Sequence, residues 1–217
     1  MASDVIPPPE RARTLVVRVW LPDRPGALGQ VASRIGAVHG DVTAIDILER
    51  GGGRAIDELV VALPESVSLE LLAKEVGAVD GVAVEHIRGV ADERPDSATA
   101  VLQLAAVIAE AERPKRLSAL VDGLLAAVDA DWAVAVRGEE LVEQRGNPPE
   151  LGWLLAFLDG SEHLDPACPT AHAPADVMWA RLPVARIAVA TGRADRAVHE
   201  RERQRIITLA RIVDHLL

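Results

Sequence analysis

Cysteine occurs once in the 217 residues, as Cys168, so no disulfide framework holds this chain and a reducing compartment is expected. Tyrosine is absent, phenylalanine occurs once and aromatic residues make up 2% of the total, which leaves little with which to stack nucleic-acid bases. Basic excess is missing as well. Lys and Arg number 23 against 33 Asp and Glu, a net charge of −10, so a phosphate backbone or an anionic membrane surface is an unfavourable partner. The longest apolar run, around Ala105–Ala109, is interrupted by Gln103 and Glu110 and falls short of the roughly 20 residues that cross a bilayer. Met1–Pro9 carries neither the basic nor the apolar region of a signal peptide. The expectation is a soluble, cytoplasmic protein that engages neither nucleic acid nor membrane.

What is present is a globular composition, 49% hydrophobic and 26% charged, long enough for one or two domains. Residues 1–12, with Pro7-Pro8-Pro9, read as an extended tail. Leu15, Val17 and Val19 alternate with Val16, Arg18 and Trp20 in a first strand, Arg13–Trp20. Pro22-Asp23-Arg24-Pro25-Gly26 breaks it. Leu28, Val31, Ala32, Ile35 and Val38 then recur at helical spacing within Gly26–His39, with Pro25 suited to the first helical turn and Gly40 to a left-handed stop. Val42–Arg50 reads as a strand with Thr43, Ile45 and Ile47 on one face, and Gly51-Gly52-Gly53 turns it into Arg54–Leu63. Ser68 caps a helix with a Leu69, Leu72, Ala73, Val76 stripe, and Gly81–Arg88 is the fourth strand.

Asp23-Arg24-Pro25-Gly26-Ala27-Leu28, between a first strand and a first helix, resembles the signature of ACT domains, ligand-binding modules of amino-acid metabolism. The resemblance covers about residues 14–90 and implies a ferredoxin-like βαββαβ domain, here placed at 13–91. It also implies an amino-acid ligand held at a dimer interface, between the first turn of one chain and the start of the second strand of the other. The matching positions are Asp23, Arg24, Pro25, Gly26, Ala27 and Leu28 with Asp41, Val42 and Thr43. Backbone N–H groups at a helix start suit a carboxylate, and Gly26 lets a ligand approach them. The bland alternative is a tight strand-to-helix turn and nothing more. Ligand-binding members often carry asparagine where this chain has Asp41, and an ionised aspartate only accepts hydrogen bonds. Asp41 suits an ammonium group and repels a carboxylate. The same strand order could serve RNA or metal binding, but the third strand lacks aromatics and the first turn lacks a Cys-x-x-Cys pair.

Residues 92–96 read as a linker. Beyond it come an almost wholly apolar helix from Ser97 through Ala109, expected to be buried on most sides, and a second helix after Pro114 with Leu117, Leu120, Val121, Leu124 and Val128 in register. A Trp132–Arg137 and Leu141–Arg145 hairpin follows, then a helix over Pro148–Leu158. A proline-rich loop, His163–Ala175, leads to a Val177–Leu182 and Ala185–Thr191 hairpin and a closing helix, Val198–Leu217. By strand order and by its ending, Arg186–Thr191 followed by Val198–Leu217, the 97–217 half resembles a compact GAF-type α+β domain, a class that binds small molecules or pairs subunits.

Other constellations have bland readings that compete with chemistry. His163, Asp165, Cys168 and His172 are four possible metal ligands within ten residues, yet at no standard zinc spacing, so a surface loop is the default. Cys168 as a nucleophile lacks an evident orienting group. Asp129 and Asp131 mark a helix-to-strand turn more readily than acid–base work, and the mixed-sign run His199–Arg205 reads as a solvated helix face. The reading is therefore a non-catalytic, two-domain regulator without cofactor or resident metal. It would bind an amino acid or similar small ligand as a homodimer and signal to a regulated enzyme or regulator protein. The alternatives are a dimerising interaction module with no ligand and a metal-dependent enzyme built on the His163–His172 loop.

Overall fold

The computed structural model describes residues 11–93, 95–161 and 176–217; the 1–10 part of the tail and the loop bearing His163, Asp165, Cys168 and His172 lie outside the described residues. The chain divides into two units, Met1–Arg94 and Pro95–Leu217, a boundary inside the 92–96 stretch. Both are α+β. No helix among the described residues is long and apolar enough to cross a membrane.

The first unit runs β1 (Ala12–Pro22), α1 (Ala27–Ala37), β2 (Asp41–Gly51), β3 (Arg54–Pro64), α2 (Leu69–Gly77) and β4 (Ala83–Gly89). Its antiparallel sheet has the order β2-β3-β1-β4, a ferredoxin-like βαββαβ arrangement. The period-2 pattern sends Leu15, Val17, Val19 and Leu21 of β1 and Leu59, Val61 and Leu63 of β3 into one core with Val31 and Ile35 of α1 and Leu72 and Val76 of α2. Burying each such side chain fully is worth about 1.5–3 kcal/mol. Gly52 and Gly53 both have positive φ, the requirement of a two-residue hairpin turn whose twist matches the strands. Ser68 Oγ accepts from the Leu71 N–H at the start of α2, as its cap position demands.

The second unit runs α3 (Ser97–Glu110), α4 (Arg116–Ala127), β5 (Trp132–Arg137), β6 (Glu140–Gly146), α5 (Leu151–Gly160), β7 (Val177–Leu182), β8 (Ile187–Gly192) and α6 (Glu200–Val213). Its sheet order is β6-β5-β8-β7, antiparallel throughout. Ala133, Ala135, Met178, Ala180 and Val189 face Leu104, Ile108, Leu120, Leu124, Ile206 and Leu209 of α3, α4 and α6. The opposite parity, Trp132, Val134, Val136, Trp179, Ala188 and Ala190, packs with Leu154 and Leu158 of α5.

Several expectations are corrected. Helix α1 starts one residue late because Gly26, at φ 85°, is left-handed and stands outside it, and it stops at Ala37. The left-handed residue at its end is His39, φ 60°, not Gly40. The Gly40 N–H reaches back to the Ile35 carbonyl and the His39 N–H to Gly36, the paired bonds of a Schellman ending. Gly40 is needed for room: a Cβ there would lie 2.7 Å from Ile35 Cγ2. Strand β2 carries register shifts between Val42 and Ala44 and between Ile47 and Glu49. Thr43 is thereby displaced from the Ile45 and Ile47 face, and Leu48 becomes the buried residue. Helix α3 is capped by Asp96, which accepts from the Ala98 and Thr99 N–H groups. It is not covered all round, for Leu102 and Val107 are 62% and 54% exposed. The His199–Arg205 run is a solvated face only in part: Glu200, Arg201 and Gln204 are exposed, but His199, Glu202 and Arg203 are buried. Arg193 pairs with Glu202 at 2.6 Å, Arg203 donates to the Val177 carbonyl, and its guanidinium lies 5.9 Å from the centre of the Trp179 ring.

Candidate functional site

The turn between β1 and α1 is built by its prolines and glycine. The Arg24 N–H donates to the Pro22 carbonyl at 2.8 Å, and the Ala27 N–H donates to Arg24 at 3.3 Å. Pro25 and Gly26 (φ 85°, ψ −12°) are thus the central pair of a type II turn. A proline at its first central position and a glycine at its second are what that turn favours. The Asp23 N–H donates to the Gly53 carbonyl at 3.0 Å, tying the turn to the β2–β3 hairpin tip.

Helix α1 then begins without a side-chain cap and without an acidic residue in its first turn. Among the described residues the Leu28 and Gly29 N–H groups have no hydrogen-bond partner, whereas the Gln30 N–H reaches the Gly26 carbonyl. Two uncapped donors and the positive end of the helix dipole face the turn. Nothing lies within 4 Å of where a Gly26 Cβ would stand, so that approach is open. Arg24 donates to Gln30 Oε1 at 3.2 Å on the surface, Ala27 is buried and Leu28 packs partly against the core.

Asp41, Val42 and Thr43 lie elsewhere in the same chain. Pro22 pairs with Arg54 and Asp41 with Ala62. The two groups thus sit at opposite ends of β3, roughly 26 Å apart at about 3.3 Å per residue. Asp41 and Thr43 are exposed, Thr43 Oγ1 donating to the Val60 carbonyl, and Val42 pairs with Val61. One chain does not bring Asp23–Leu28 and Asp41–Thr43 together.

The residue sequence reasoning missed is Asp57. It falls in the parity of Ala55, Leu59 and Val61, the core-facing positions of β3, and that out-of-pattern charge was the available signal. Asp57 is 3% exposed and its Oδ1 has no hydrogen-bond partner. Burial raises its pKa above the usual carboxylate value; nearby Arg50 opposes this, while Asp23 and Asp46 reinforce it. Arg50 Nε itself stands 4.0 Å from Asp23 Oδ1.

The opposite face of this sheet carries a second charged group. Arg18 pairs with Glu58 at 2.6 Å and approaches Glu85 at 3.7 Å, while Trp20 Nε1 donates to Glu85 at 2.7 Å. His86 beside them is held neutral, its pKa lowered to about 4 by burial first and the Arg18 charge second. Its 3.9 Å approach to Glu85 is therefore not an ion pair at neutral pH.

In the second unit, Asp129 and Asp131 are structural. Both are engaged by Arg196, and Asp131 accepts from the Ala194 N–H. A cavity of about 360 Å³ opens beside α5, lined by the apolar Val136, Leu155, Leu158 and Ile187 and by Arg181 and Arg186. No group of three or more metal-ligating side chains forms among the described residues.

No family model and no curated protein matches the chain. Among solved structures it is similar to the ACT domain of a GTP pyrophosphokinase from Chlorobium tepidum, at 16% identity over 36% of this chain and 99% of that one, TM-score 0.29. It is similar to a formyltetrahydrofolate deformylase from Pseudomonas putida KT2440, at 18% identity over 44% of this chain and 38% of that one, TM-score 0.30. A third similar structure is an unknown protein from Galdieria sulphuraria, at 14% identity over 94% and 93% of the two chains, TM-score 0.33.

Proposed function

We propose that the chain is a non-catalytic regulatory sensor whose first unit binds an amino acid or a similar small zwitterion and passes its occupancy to a partner enzyme or regulator. The observation that carries this reading is the uncapped start of α1, opened by Gly26 and presenting the free Leu28 and Gly29 N–H groups. Such a helix start holds a carboxylate by hydrogen bonds and dipole together.

A homodimer belongs to the same proposal. The dimer rests on the open sheet edge and not on Asp41, since one chain keeps Asp41–Thr43 away from Asp23–Leu28. Strand β2 is an edge strand of eleven residues, its Ile45 is 47% exposed, and open edges of this kind invite pairing.

The test is a melting-temperature screen of the full chain against the twenty amino acids, each at millimolar concentration. A ligand at 100 times its Kd stabilises a one-site protein by about 2.7 kcal/mol, which moves the melting temperature by several degrees. A flat screen favours the ligand-free dimerising module.

A further inference from the structure

We infer that Asp57 is the group that receives the ligand's ammonium, within the same chain as the α1 turn that receives its carboxylate; the inference rests on the amino-acid reading above. Most buried polar atoms in native proteins find a partner, and Asp57 Oδ1, in a side chain 3% exposed, has none. Its position ties it to the turn. Arg54, three residues earlier on β3, pairs with Pro22, the last residue before the turn. Asp57 also points to the sheet face on which α1 packs, in line with Ala55 and Leu59, and it lies within electrostatic reach of Asp23 and Arg50.

The near cation, Arg50, offsets the Asp57 charge only through space and donates no hydrogen bond to Asp57 Oδ1, its Nε standing 4.0 Å from Asp23 Oδ1. The corner therefore holds a carboxylate lacking donors and, at Leu28 and Gly29, backbone donors lacking acceptors. An α-amino acid supplies both complements on one carbon, three ammonium donors and two carboxylate acceptors. A plain anion would meet the donors but also the Asp57 charge, and a plain amine would leave the helix start unused. The ligand class is thus an α-amino acid with both groups free, and Asp41, exposed at the far end of the same sheet, is not needed for its ammonium.

The experiment is a calorimetric titration of the wild type, Asp57→Asn and Asp41→Asn with the amino acid that raises the melting temperature most in the screen, alongside its N-acetyl derivative. Asp57→Asn should weaken binding tenfold or more, Asp41→Asn should change it less than twofold, and the N-acetyl derivative should fail to bind the wild type. Should Asp57→Asn not fold, the carboxyl carbon resonance of Asp57 in aspartate-labelled wild type takes its place, and it should move on titration. Unchanged affinity in Asp57→Asn, a stationary Asp57 resonance, or loss of binding in Asp41→Asn overturns the inference while leaving the sensor reading intact. A wild type that binds no amino acid overturns both.

Discussion

Arg18 on β1 and Glu58 on β3 stand directly opposite each other in the sheet register, and Arg18 donates to Glu58 Oε2 from Nη2 at 2.6 Å and from Nε at 3.2 Å. Both side chains are almost out of water. A pair of this kind gains little net stability over an apolar pair, but removing one member strands the other charge. Glu58→Leu should therefore cost about 2–4 kcal/mol in urea unfolding, softened by the remaining Glu85 contact. Arg18→Met combined with Glu58→Leu should recover most of that loss. Additive losses would contradict this account of the face.

His86 makes the same face acid-sensitive. Its folded pKa lies near 4, below its ordinary 6.5, through burial and then the Arg18 and Arg88 charges, with Glu85 and Glu58 opposing. A depressed pKa means that its share of stability is present above pH 6.5 and lost as pH falls toward 4. The loss is on the order of 3 kcal/mol at most. Chemical denaturation from pH 7 to 4 should show a shallower decline in His86→Gln than in the wild type. Parallel curves would mean that His86 is not the responsible group.

Asp57 has the opposite sign. Its folded pKa is raised by burial, so the stability linked to its neutral form is present below the ordinary carboxylate range and lost as pH rises through the folded value. Without ligand at pH 7, Asp57→Asn should melt higher than the wild type, and the gap should close as pH drops to 4. A lower melting temperature for the variant at pH 7 would show that Asp57 is a stabilising residue with a partner of its own.

Gly26 makes a conformational contribution separate from ligand access. Its φ of 85° is a region that side chains avoid. Open space surrounds the missing Cβ, so Gly26→Ala should cost only the backbone term, about 1–2 kcal/mol, or a few degrees of melting temperature. A loss beyond twice that would imply that the turn is packed in solution.

In solution the chain should have the mass of a dimer by light scattering at micromolar concentration. Ile45→Lys on the β2 edge should shift it toward monomer, and Leu102→Glu on the exposed side of α3 should not. The reverse result would place the interface on the second unit.

Much of this fold is legible from local rules. Alternation at Leu15–Leu21 and Leu59–Leu63, the 3.6 period of Val31 and Ile35, and the triple glycine at Gly51 yield the βαββαβ order without tertiary information. Bulges are not legible: nothing in Thr43 or Leu48 announces the two register shifts that leave both without a partner on β3. Burial of like-patterned segments is hidden from the sequence for a related reason. Helix α3 has apolar residues on every side, so composition hides which side faces water, whereas the charged start of α6 is buried because Arg193 and Trp179 receive it. At the candidate site the Asp23–Leu28 turn was readable from its residue types. Asp57 is harder to read, because one charge inside an alternating strand carries little weight without its unpartnered oxygen.

The most direct measurement is to follow backbone amide resonances of the full chain during titration with the amino acid that raises its melting temperature. The account predicts that the Leu28 and Gly29 amides, the uncapped donors of α1, shift most and saturate with the same Kd that calorimetry reports. Perturbations confined to 95–217, around the α5 cavity, would contradict it and place the ligand in the second unit.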